Sequence, residues 1–159
     1  MSDLEVRIVK LEPLRVASFH GFGASPETEA GNKLIAWAKP KGLLDDPAQH
    51  RIFGFNNPDP APGSPNYGYE FWMVVGPEVQ PEAEMKIKEF AGGLYAVTRC
   101  EVKDDAYDVI PATWQRLVAW CEDSKYRMAH HQWLEEHLDL TNASWPGVFT
   151  LDLYLPIAE

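Results

Sequence analysis

The sequence repeats itself, and that constrains it more than any other feature. Leu34-Ile35-Ala36-Trp37-Ala38 returns in outline as Leu117-Val118-Ala119-Trp120-Cys121, and Tyr69-Glu70-Phe71-Trp72-Met73 as Leu151-Asp152-Leu153-Tyr154-Leu155, at offsets of 83 and 82 residues. Chance supplies one such match; two in order at nearly one offset point to duplication. A duplicated unit of strands around one helix can join its sheets side by side, with both helices covering one face. The expected fold is therefore α+β: duplicated βαββ-type halves, an antiparallel sheet with helices on one face, and a central ligand cleft on the pseudo-twofold axis. At 159 residues the chain is the size of one domain. That domain is expected to cover residues 1–159, with pseudo-repeats at about 4–77 and 84–157.

Local patterns place the elements. Val6 to Leu11 reads as a strand, Pro13 interrupts it, and Val16, Phe19 and Phe22 resume it, predicting a bent or two-part strand. Ser25-Pro26 predicts a helix entrance, serine as cap and proline in the first turn, followed by Ala30, Leu34, Ile35 and Ala38 at helical spacing. An apolar run, Arg51 to Phe55, precedes a loop from Asn56 to Asn66 whose four prolines carry no N–H for a ladder, and Tyr67 to Val75 reads as a strand. Glu84 to Phe90 and Leu94 to Cys100 flank Ala91-Gly92-Gly93 and predict a β-hairpin with glycines at positive φ. After Pro111, Trp114, Leu117, Val118 and Cys121 form the apolar stripe of a helix, read as ordinary core packing. His130 to Leu140 fits either a short strand or a helical turn, Asn142 to Gly147 a loop, and Val148 to Ile157 a final strand.

Charge excludes one class of partner. With 24 acidic against 14 basic residues, the formal net charge of −10 opposes a phosphate backbone, and the basic residues are scattered rather than clustered. No direct nucleic-acid binding is expected, and a sensor of this kind would need its DNA-binding part elsewhere. Without a basic, apolar leader or a run of roughly 20 apolar residues, no membrane association is expected. Cys100 and Cys121 lack the spacing of a metal knuckle or disulfide framework. The expected location is cytoplasmic.

An ordered set of segments carries a family resemblance: Glu89-Phe90-Ala91-Gly92-Gly93-Leu94-Tyr95-Ala96-Val97, the helix ending Trp120-Cys121, Leu134-Glu135-Glu136-His137-Leu138, and Leu151-Asp152-Leu153-Tyr154-Leu155-Pro156-Ile157. Together they resemble the GyrI-like (gyrase-inhibitor-like) small-molecule-binding domain, the effector-binding domain of bacterial transcription activators, over nearly the whole chain. The resemblance implies a cleft for bulky, often aromatic and cationic molecules, with a glutamate at its floor. Glu135 matches that glutamate, and His137 stands where the family usually has tyrosine; a register slip of one would put Glu136 there instead. It also implies three roles: a small-molecule sensor, a gyrase-inhibitor-like protein that contacts a separate protein partner, or a small hydrolase of the cyclopropanoid cyanohydrin type.

Strand alternation adds residues to the candidate site. Phe149, Leu151, Leu153 and Leu155 should pack beneath the helices, leaving Asp152 and Tyr154 on the other, exposed face, with Glu70 and Trp72 as their first-half counterparts. The candidate ligand-binding set is Glu135, Trp72, Tyr154, Trp133, Trp145, Phe55, His137, Glu70 and Asp152. Aromatic faces attract cations by about 0.5–2 kcal/mol, and a carboxylate adds charge. Hydrolysis would use Glu135 as general base. No metal and no cofactor are expected: His131 and Glu135 share a face only on a helix, whereas Glu135 and His137 share one only on a strand.

Overall fold

The computed structural model describes residues 4–46, 48–57, 62–82, 85–103, 106–138 and 149–159. Its elements follow the order strand, strand, helix, strand, strand twice. The first round is β1 (Arg7–Leu11), β2 (Leu14–Gly23), α1 (Pro26–Ala38), β3 (Ile52–Asn56) and β4 (Tyr67–Val74). The second is β5 (Lys86–Phe90), β6 (Gly93–Val102), α2 (Val109–Glu122), β8 (Leu134–His137) and β9 (Phe149–Ala158), with a two-residue β7 (Arg127–Met128) before β8. All pairings described below are antiparallel, giving the α+β class.

The chain forms two compact units, and each borrows a strand. One unit comprises residues 14–90, the other residues 1–13 and 91–159. The 14–90 unit orders its strands β3-β4-β2-β5, and the other orders them β1-β6-β9-β8, with β7 also on β9. The first strand of each repeat thus pairs with the second strand of the other repeat: Arg7 faces Val97, and Leu14 faces Phe90. This corrects the expected hairpin across Ala91-Gly92-Gly93. β5 finds its ladder on β2, so it does not fold back on β6. Gly92 and Gly93 do take positive φ, 83° and 153°. Gly92 uses that freedom where the Leu11 carbonyl would meet any Cβ.

In the 14–90 unit, α1 starts as the sequence suggests, with Pro26 in the first turn and Glu27 and Glu29 complementing the helix dipole. Ser25 stands at the cap position, but its hydroxyl makes no capping bond. Ala30, Leu34 and Ala38 are buried one turn apart. Gly21 in β2 lets the helix come close, because a Cβ there would lie 2.7 Å from the Pro26 carbonyl. In the other unit, Leu117 and Cys121 of α2 cover Ala96 and Cys100 of β6 and Leu151, Leu153 and Leu155 of β9. The leucine row was legible from alternation. The opposite row is not exposed as expected: Glu70, Trp72, Asp152 and Tyr154 are all buried, because each polar group is held by internal partners.

Candidate functional site

Three buried carboxylates alternate with, or lie opposite residues that alternate with, the apolar rows of β4 and β9: Glu70, Asp152 and Glu136. Glu70 Oε2 accepts from Ser18 Oγ at 2.6 Å, Trp72 Nε1 at 2.7 Å and Lys88 Nζ at 2.7 Å, and Oε1 accepts from Asn57 Nδ2 at 3.0 Å. Burial alone would raise its pKa, but the donors from Lys88, Ser18, Trp72 and Asn57 together hold it below the usual carboxylate value. Trp72 is closed in by Phe55 and Phe90, with ring centroids at 4.8 and 5.3 Å. Asp152 accepts from Arg7 Nη2 at 2.8 Å and Arg99 Nε at 2.6 Å. Glu136 accepts from the Tyr154 hydroxyl at 2.7 Å. Phe55, Trp72, Glu70, Asp152, Tyr154 and Glu136 are therefore packed and internally bonded groups.

Glu135 lies elsewhere, which corrects the expectation that it stands beside Asp152 and Tyr154. Residues 134–137 are a strand, and β8 pairs with β9 so that Glu136 faces Asp152 while Glu135 faces Leu153. Opposed residues in an antiparallel ladder share a face. Leu153 belongs to the α2-covered core, so Glu135 points to the helix side. There the Trp114 indole Nε1–H donates to Glu135 Oε2 at 3.1 Å, and the Trp133 ring lies 5.2 Å from that of Trp114, inclined at 47°. Glu135 and Trp114 are half-buried, and Trp133 is 36% exposed. The arrangement is a carboxylate at the N–H edge of one indole, with a second, more exposed indole packed against the first.

His137 follows on the same side of β8, opposite Leu151 and stacked at 6.5 Å on Phe149. Burial holds its pKa down at about 3, so the ring is neutral. Trp145 falls outside the described residues. Among the described residues no group of three or more His, Cys, Asp or Glu is arranged to hold a metal ion.

Trp114 packs against the Leu117 and Cys121 core as its stripe suggests, but it is only partly buried there, and its bond to Glu135 was not foreseen. The repeat itself carries a usable signal. Aligning Leu34 with Leu117 puts Gly31 opposite Trp114, and aligning Phe71 with Leu153 puts Gly54, which faces Phe71, opposite Glu135. In the 14–90 unit that space is filled: the Tyr69 ring lies directly over Gly54, where a Cβ would collide with it. One unit keeps a tryptophan and a carboxylate where the other keeps two glycines.

Residues 7–157 match the model of the integron-associated effector-binding protein family. The chain belongs to that family. It is accordingly a GyrI-like effector-binding domain, with a small-molecule-binding role. By sequence, no curated protein matches the chain. Among solved structures, the EcmrR C-terminal domain shares 15% identity at a TM-score of 0.70, with 99% of each chain covered. In EcmrR bound to DNA, at 14% identity and TM-score 0.70, 98% of this chain corresponds to 58% of the EcmrR chain. SAV2435 bound to tetraphenylphosphonium is 13% identical over 97% of this chain and 94% of its own, at TM-score 0.54. A hydrolase from Listeria innocua is 11% identical over 97% and 92%, at TM-score 0.62. At these identities the likeness is one of fold. No helix among the described residues is long and apolar enough to cross a membrane.

Proposed function

We propose that this effector-binding domain takes up a lipophilic aromatic cation at Trp114, Trp133 and Glu135, and senses or sequesters it in the cytoplasm without contacting nucleic acid itself. The observation that supports this reading is the half-buried Glu135 carboxylate bonded to the Trp114 indole, which is itself packed against the exposed Trp133 ring. Indole faces attract cations by about 0.5–2 kcal/mol each, and a partly desolvated carboxylate adds charge that water screens less than it would at the surface. Glu70 and Asp152 are bonded to Lys88 and to two arginines and are almost wholly buried, whereas Glu135 is half-buried beside an exposed indole. SAV2435, which shares the fold, is bound to a cation of this kind. The net charge of −10 favours cations over anions on approach. Any effect on transcription would then pass through a DNA-binding segment or protein partner outside these residues.

Titrating the protein with tetraphenylphosphonium, followed by tryptophan fluorescence, tests the reading. Saturation is expected below about 1 mM, and Glu135→Gln should weaken binding about tenfold through loss of the charge. Failure to saturate, or an unchanged Glu135→Gln titration, would refute it. The likeness to the Listeria hydrolase supports a second reading, in which Glu135 activates water. Product analysis over time separates the two, and full turnover by Glu135→Gln would end the hydrolase reading.

A further inference from the structure

The turn that delivers Trp133 is seated on the start of β6 by three adjacent residues. Gly93, at φ 153°, leaves space that the His131 imidazole occupies: a Cβ on Gly93 would lie 2.8 Å from the ring. Next, the Leu94 carbonyl accepts a hydrogen bond from His131 Nε2 at 2.8 Å. Last, the Tyr95 hydroxyl donates to the Gln132 carbonyl at 2.5 Å, one residue before Trp133, while its ring meets His131 edge-on at 4.8 Å. Tyr95 is fully buried, and β6 fixes its backbone between β1 and β9.

We infer that Tyr95 and His131 are positioning residues, which set the angle of the Trp133 indole against Trp114 and so tune the affinity of the aromatic cation site. The inference rests on the proposed site, but its geometry can be tested without a ligand. Trp133 is 36% exposed with its ring against Trp114, so the backbone that carries it helps to set the angle between the two rings. The Gln132 carbonyl and the His131 ring are two points at which that backbone is fastened to β6. Burial raises the Tyr95 pKa, keeping the phenol a hydrogen-bond donor throughout the physiological range. The His131-Gln132 pair thereby acquires a role.

The test uses the full chain and two readouts. Indoles 5.2 Å apart and inclined at 47° couple electronically and give a paired circular-dichroism band, which Trp114→Phe must abolish. Tyr95→Phe, which keeps the ring and removes one hydrogen bond, is expected to diminish that band and to weaken tetraphenylphosphonium binding about fivefold. His131→Phe, which keeps the edge-on packing but loses the bond to Leu94, should act in the same direction and serves if Tyr95→Phe does not fold. A lower melting temperature with an unchanged band and unchanged affinity would assign both residues a merely structural role and overturn the inference. If the wild-type chain does not bind the cation, the functional reading fails, and the band alone decides the positioning role.

Discussion

Trp114 on α2 donates its indole proton to Glu135 on β8, at 3.1 Å. At the corresponding places of the 14–90 unit stand Gly31 on α1 and Gly54 on β3, with the Tyr69 ring over Gly54. Duplication supplied two copies of one packing plan, and divergence filled one copy while giving the other an acid and an indole. A carboxylate among apolar side chains is costly unless something bonds to it. Trp114 meets part of that need at the edge of the α2-covered core.

The two neighbouring glutamates should therefore separate cleanly in a denaturation experiment. Glu136→Ala removes the acceptor of the buried Tyr154 hydroxyl and is expected to cost about 1–3 kcal/mol. Glu135→Ala leaves a half-buried, not a buried, donor behind and should cost less than Glu136→Ala. Urea midpoints for the two variants check this, and equal losses would contradict the assigned faces.

His137 gives stability a pH dependence of definite sign. Its folded pKa of about 3 lies below the ordinary value of 6.5, so the unfolded chain takes up the proton first. Its contribution is fully present above pH 6.5 and is lost as pH falls towards 3, with a slope of up to about 1.4 kcal/mol per pH unit. His137→Phe should remove this part of the slope, as read by unfolding free energies between pH 7 and pH 4. An unchanged slope would show that the buried ring is not its source.

Gly54→Ala tests the filled copy of the site. The added methyl would strike the Tyr69 ring, and the expected loss is about 1–3 kcal/mol from overpacking. Pairing it with Tyr69→Leu, the residue found at the matching position 151, should recover part of that loss. Thermal melts of the single and double variants provide the comparison, and additive losses would show that the ring is not the obstacle.

Much of the fold is legible in residues that act locally. Pro26 and the spacing of Ala30, Leu34 and Ala38 announce α1, and Leu151, Leu153 and Leu155 announce both β9 and the face it buries, because side chains alternate with a period of two. The matched pentapeptides announce the duplication. Leu134-Glu135-Glu136-His137 offers no such alternation, so only its ladder with β9 decides that Glu135 faces the helix and Glu136 faces Asp152. The partners of β5 and β6 were equally hidden: glycines permit a hairpin, but hydrogen bonds to β2 and β1 decide against it. Sequence by itself determined the two helices, most of the strands and the repeat they belong to, but left residues 130–140 open between strand and helical turn. Tertiary structure decided strand partners and the face of each acid, because both depend on hydrogen bonds between residues far apart in the chain.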